Sequence, residues 1–296
     1  MPALGKNAAC ILTIFSCSFV LAVARSPAHS QSPLQDSAHN PKLAYLGFDR
    51  NDYPGDSYLP ALKQSFSFAG YWLNVPPGAK SNSWAGKREI VRDSGFGFLV
   101  LFNGRTSAEL KRAADPDALA ATDARNAIEN AKREGFSAGT VIFLDQEEGG
   151  RLLPKQQEYL LAWADGIISA GYRAGVYCSG IPVKDNGNQS ITTAQDVHDH
   201  AGGRKIIYFV YNDVCPPSPG CASSKLPPPA SASGIEFADA WQFAQSPRRK
   251  DFSRACLANH NRDGNCYPPP GNGAARIYLD LDSATSPDPS NGRVQN

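Results

Sequence analysis

The sequence predicts an α/β protein folded as one irregular (β/α)8, TIM-like barrel. Three observations carry that expectation. Eight short apolar runs alternate with segments of helical pattern or length. Some of the runs, FGFLVLF and VIFL among them, are apolar almost throughout, which suits strands covered on both faces of a parallel sheet. Acidic residues end the first run (Asp49), the fourth (Asp145, Glu147) and the last (Asp280, Asp282), and a barrel would gather strand ends at one mouth. An open doubly wound sheet is the competing arrangement. It would usually carry a Gly-rich phosphate loop after the first strand, but here that strand ends in FDRNDYPG, and no Walker motif occurs.

The elements follow in chain order. Lys6 is the one charge in the first 24 residues, and an apolar stretch from Ala8 closes with Ala22-Val23-Ala24. That is the pattern of a cleaved secretory signal over 1–24. It is favoured over a membrane anchor of similar length, and Phe15-Ser16 before Cys17 suits a lipobox poorly. Residues 25–42 are polar and aperiodic and are expected to form a disordered lead-in, like the tail 283–296. The barrel is placed between them, over 43–282. Its strands are expected at 43–49, 68–74, 96–103, 140–147, 173–179, 205–212, 238–243 and 276–282. Helices are expected at 118–133, with Gly135 just beyond, and around Leu160, Trp163 and Ile167, ended by Gly171. Weaker helical patterns cover 57–64, 85–93 and 193–201. The connections after strands six and seven, rich in Pro, Ser, Cys, Arg and Asn, lack helical periodicity.

Composition narrows the function. Of 296 residues, 42% are hydrophobic and 19% charged, enough for a sizeable core. Lys plus Arg number 29 and Asp plus Glu 28, a balance that points to neither a nucleic-acid nor a cationic partner. Loss of the signal would remove Cys10 and Cys17. The close pairs Cys215/Cys221 and Cys256/Cys266 then read as disulfides of an oxidising compartment, and Cys178 as a small core residue. The protein is therefore expected to be secreted, periplasmic or cell-wall associated, a monomer, free of the membrane after signal cleavage and without a cofactor.

Asp145 and Glu147 are the most informative pair. At i and i+2 of a strand they share one side, roughly 6.6 Å apart along the chain. Flexible side chains could close this toward the ~5–5.5 Å separation of retaining glycosidases. Clustered carboxylates raise one another's pKa, so one can keep a proton for a leaving group near neutrality. Two acids ending an apolar strand are costly without a use. Asn74 follows the second strand, Tyr177 and Ser179 the fifth, Tyr211, Asn212 and Asp213 the sixth, and Trp241 and Gln242 the seventh. Rings and amides are what a sugar-binding groove needs. Each also has a plainer reading: Asp49 as a helix cap, Trp72 and Trp241 as core, and Asp282 as the start of the tail. Glu148 is expected to face solvent or Arg151. His198 and His200, two apart on a helix, face different ways and make a poor metal pair, although the carboxylates could hold a hard cation. No GxSxG is present.

GFDRNDYPG, YWLN, FLDQEEG, AGVYCSG, DAWQF and YLDLD, in this order over 43–282, resemble the glycoside-hydrolase-like domain first catalogued as domain of unknown function 1906. That group is distantly similar to the glycoside hydrolase family 25 lysozymes. The resemblance implies an irregular β/α barrel acting on N-acetylated cell-wall glycan such as peptidoglycan. It implies Glu147 as general acid, Asp145 orienting or stabilising the reacting sugar, Asp49 positioning substrate or tuning Glu147, and Asp280 or Asp282 as the late acid. Asn51 stands where the lysozymes usually carry Ser. The alternative is a cell-wall glycan-binding protein that kept the barrel without turnover, and a third option is a metal-assisted hydrolase.

Overall fold

The computed structural model describes residues 43–222, 226–246, 256, 263–268 and 277–294. The expected signal and lead-in over 1–42 lie outside the described residues. The strands are β1 (Tyr45–Asp49), β2 (Phe68–Trp72), β3 (Gly97–Asn103), β4 (Val141–Gln146), β5 (Arg173–Ser179), β6 (Val183–Lys184), β7 (Ser190–Ile191), β8 (Ile207–Tyr211), β9 (Ala240–Ala244) and β10 (Asp280–Ala284). β6 and β7 pair with each other, and the other eight close a barrel in the order β1-β2-β3-β4-β5-β8-β9-β10. All eight predicted strands are present.

The barrel is mixed rather than wholly parallel. β10 runs antiparallel to both β9 and β1, while the other neighbours are parallel. Parallel strands need a crossover that carries the chain back to the starting end, whereas antiparallel strands join at the same end. The chain after β9 joins at the same end and re-enters the sheet from the mouth. The expected strand 276–282 accordingly moves to Asp280–Ala284. Asp280 reaches the mouth by beginning its strand, not by ending it, and it lies opposite Asp49.

The helices are α1 (Leu59–Lys63), α2 (Arg88–Asp93), α3 (Ser107–Arg112), α4 (Pro116–Glu134), α5 (Pro154–Ser169) and α6 (Thr193–His200). The two strong sequence patterns become the two long helices. In α4 the Asp115 side chain accepts from the Ala118 N–H, Pro116 starts the helix, and Gly135 ends it at φ 83°. Its buried Ala120, Ala124, Ala127 and Ala131 form a narrow stripe that lets α5 approach closely. The unpredicted α3 starts at a capping box between Thr106 and Glu109.

Inside the barrel, side chains alternate with the pleat. Phe143 occupies the space beside Gly175, where any Cβ would lie 2.4 Å from its ring. One level higher, a Cβ at Gly70 would lie 2.4 Å from that of Asp49, so this glycine makes room for the acid.

The tail corrects another expectation. Residues 283 and 284 belong to β10, and the chain then packs beneath β3 and β4. The Phe98 N–H donates to Asp288, the Val100 N–H to Ser290 Oγ at 2.8 Å, and the Val141 N–H to the Ser290 carbonyl. Arg88 donates to the Gly292 carbonyl at 2.7 Å. Polarity suggested disorder, but these polar groups satisfy backbone donors that the sheet leaves open.

The cysteine pairing also differs. Cys215 bonds Cys256 and Cys221 bonds Cys266, with Cα separations of 5.8 and 5.1 Å. Because β8 and β9 are neighbours, the loops that follow them share the mouth, and the bonds join loop to loop instead of closing each one. Cys178 is free and buried. Two disulfides place the fold in an oxidising compartment. Among the described residues no helix is long and apolar enough to cross a membrane.

Candidate functional site

Asp49, Asp145, Glu147 and Asp280 line one cavity of about 240 Å³ in the barrel mouth. β1 and β4 deliver the first two at their C-terminal ends, β10 delivers Asp280 at its N-terminal end, and Glu147 lies one residue beyond β4.

Gln242 organises the inner wall. Its Nε2 donates to Asp49 Oδ2 at 2.7 Å, and its Oε1 accepts from the Tyr177 hydroxyl at 2.7 Å and from Gln245 Nε2 at 2.8 Å. Burial raises the Asp49 carboxyl to about 6, against the lowering effect of Gln242, with the Glu147 charge adding to the rise. Asp145 is 5% exposed and its Oδ1 has no hydrogen-bond partner among the described residues. Burial, then Glu147, Asp49 and Glu148, push it well above the usual range. Asp280 is raised by burial and by Asp49, although it accepts from the Ser246 N–H. Glu147 is exposed at the rim, yet it too is raised, by partial desolvation and by Glu148. These groups titrate as a set and cannot all be ionised together near neutrality.

Tyr177 is buried in the wall, held there by its bond to Gln242, and Tyr211 donates to the Glu147 carbonyl at 2.8 Å. The two rings lie 5.5 Å apart. Asp282 is fully buried below the cavity and does not line it, so Asp280 is the late acid that reaches the cavity.

Two further expected site residues, Trp241 and Asn74, are placed elsewhere or otherwise engaged. Trp241 is fully buried, its Nε1 donates to the Asn212 carbonyl at 3.0 Å and its ring meets Phe243. Strand alternation explains this, since Gln242 points in and Trp241 must point out. Asn74 donates to the Asn103 carbonyl at 2.9 Å and accepts from the Asn103 N–H at 2.8 Å, so its amide clamps the ends of β2 and β3. It lines a neighbouring groove, not the acid cavity. Glu148 accepts from the Ser107 N–H and from Gln146, while Arg151 pairs with Asp185 and Asp196. Ser179 accepts from the Ile181 N–H and Asn212 donates to the Ser233 carbonyl, so both serve the backbone. His198 stacks on Phe237 at 4.3 Å and His200 meets the Asp196 carbonyl, so the two diverge. Among the described residues no three His, Cys, Asp or Glu side chains form a metal-holding group.

Other residues of the cavity were not singled out from the sequence. Leu101, Phe209, Gln245 and Ser246 line it, and so does Trp72, weighed from the sequence as core, 4% exposed and with no partner for its Nε1 among the described residues. Leu101 and Phe209 lie at inward strand positions, a phase legible in principle. Gln245 and Ser246 follow β9 and carry no periodic signal.

The cavity opens onto a groove of about 330 Å³, and Asp145 and Glu147 are the two residues common to both. Pro77, Asn103, Gly104, Arg105 and Thr106 form the rest of that groove with Glu148. The arrangement can bind a polyhydroxylated chain and present protonated and ionised carboxyls to one bond.

Residues 77–212 match the Rv2525c-like, glycoside hydrolase-like domain. This span runs from the loop after β2 through β8 and includes Asp145, Glu147, Tyr177 and Tyr211. Among solved structures, an uncharacterised B. stearothermophilus protein is 18% identical, with a TM-score of 0.51 over 81% of this chain and 95% of its own. The Tat-secreted protein Rv2525c of Mycobacterium tuberculosis, in complex with L-tartrate, is 11% identical, with a TM-score of 0.49 over 82% and 96%. The modular autolysin LytC of Streptococcus pneumoniae is 13% identical, with a TM-score of 0.46 over 81% and 46%. At 18% identity the likeness to the B. stearothermophilus protein is one of fold alone. No curated protein matches the chain.

Proposed function

We propose, from the premise that the chain carries an Rv2525c-like, glycoside hydrolase-like domain, that it is a secreted or cell-wall-associated hydrolase of N-acetylated glycan, with peptidoglycan as the leading substrate. One observation carries this. The acid pair Asp145 and Glu147 stands where the inner cavity meets the open groove. A glycan lying through both would have one glycosidic bond at that junction.

Glu147, raised and at the rim, would give its proton to the leaving oxygen. Asp145, deeper and with its Oδ1 unpartnered among the described residues, would face the anomeric centre or its N-acetyl group and stabilise developing positive charge when ionised. Asp49, held by Gln242, would set the charge around both. Water then adds to the anomeric carbon and its proton returns to a carboxylate. A glycan-binding protein without turnover is the second reading. It is favoured by the Glu147 carboxylate, which has no hydrogen-bond donor among the described residues to aim it.

The deciding experiment is reducing-end release from purified peptidoglycan and N-acetylated chitooligosaccharides, at acidic to neutral pH, with wild type beside Glu147→Gln. The variant is expected to lose about 10²–10⁴-fold of the activity, the usual worth of a general acid. No release from either substrate, with glycan pulldown intact, would move the assignment to the binding protein.

A further inference from the structure

Beyond the acid pair the groove continues. A depression of about 550 Å³ extends from it over β3 toward α4, sharing Pro77, Asn103, Gly104, Arg105 and Thr106 with the groove. We infer that this extension is a second glycan-binding region for uncharged sugar units, with Arg105 as its positioning residue. The inference rests on the glycan function proposed above.

Arg105 is built in from behind. Its Nε donates to Asp123 Oδ2 at 2.7 Å and its Nη2 to Asp123 Oδ1 at 2.8 Å. Asp123 is 3% exposed and also accepts from the Tyr159 hydroxyl at 2.8 Å. A two-pronged bond to a buried carboxylate fixes the guanidinium plane. Nη1 lies 3.6 Å from Glu109, beyond hydrogen-bond length, and keeps donors for the groove. Pre-organised donors lose little freedom when a ligand arrives.

The lining identifies the ligand chemistry. Val75, 42% exposed, and Pro77 give an apolar strip that suits sugar C–H faces. Asn126 offers an exposed amide that makes no hydrogen bond among the described residues. Arg105 is balanced by Asp123 and Glu109, so no uncompensated cation awaits an anion here. Amide, apolar strip and neutralised guanidinium together favour neutral, hydroxyl- and amide-bearing units. Because Pro77, Asn103 and Arg105 line both depressions, one chain could run from the acid pair into the extension.

The test is calorimetric binding of two-, four- and six-unit N-acetylated oligosaccharides, cut from chitin and from peptidoglycan glycan strands, to the Glu147→Gln protein. Affinity is expected to tighten at least roughly tenfold from two to six units. Asn126→Ala and Val75→Ser, both at exposed positions, are each expected to weaken the six-unit ligand about fivefold and to leave the two-unit ligand unchanged. Arg105→Lys, which keeps the charge and loses the planar fork, should weaken the six-unit ligand by a similar factor. Affinity that does not grow with length, or that grows equally in all three variants, overturns the second region and leaves the glycan function standing. Absence of binding at every length overturns both.

Discussion

Asp282 is fully buried against Asp49, and among the described residues neither of its carboxyl oxygens finds an amide, amine or hydroxyl donor. Burial first, then the charges of Asp49 and Asp280, hold it well above the usual range. When protonated it can donate to Asp49, which lowers Asp49 against its own burial. A consequence for stability follows. A carboxyl raised in the folded state binds protons there that the unfolded chain releases, so stability falls as pH rises from about 4 through the folded value. For Asp49, raised to about 6, the window is roughly pH 4–6 and the cost at neutrality is about 3 kcal/mol. Thermal unfolding at pH 5 and pH 8 should give the higher Tm at pH 5. Asp282→Asn removes one such group, so it should raise Tm at pH 8 and flatten the difference. An equal loss at both pH values would show that Asp282 is ionised and structural.

Strand phase and strand direction place the site. On β9, Gln242 faces the acids and Trp241 the surrounding layer. On β2, Gly70 leaves the space into which Asp49 fits. Gly70→Ala is expected to cost about 1–3 kcal/mol of stability by overpacking and to abolish glycan binding by displacing Asp49. Trp241→Phe should cost a comparable amount of stability, through a lost hydrogen bond and a void, with binding unchanged. Unfolding in urea and calorimetry on the two variants separate these outcomes. Identical binding losses would place Trp241 in the site after all. The direction of β10 matters equally, because a parallel final strand would have carried Asp280 to the far end of the barrel.

The chain is tied at both ends of the barrel. At the mouth, the two disulfides join the loop after β8 to the loop after β9 across 41 and 45 residues. Loops of that length correspond to about 4 kcal/mol each in the chain-entropy model. Reduction should therefore lower Tm markedly, and an unchanged Tm would show that packing alone holds the loops. At the opposite end, Asp288 and Ser290 satisfy the N–H groups of Phe98, Val100 and Val141, and Gly292 accepts from buried Arg88. Truncation after Thr285 leaves these donors open at about 1–3 kcal/mol apiece. A urea titration should show several kcal/mol lost, and full retention of stability would return the tail to the status of an appendage.

Much of this was legible in the chain itself. Hydrophobic runs located all eight barrel strands, because burial on both faces leaves a local signature. Cap residues and the periods of α4 and α5 marked the long helices. Asp49, Asp145 and Glu147 stood out as charges ending apolar strands, a pattern that burial makes costly without a purpose, whereas Asp280 and Asp282 stood out together and the choice between them waited on the fold. Only the tertiary structure decided the rest. The direction of β10, the pairing of the cysteines, the packing of the tail and the burial of Trp241 depend on which segments become neighbours in space. Neighbours distant in sequence leave no period, so Gln245 meets Gln242 and Asp288 meets Phe98 through closure of the barrel alone.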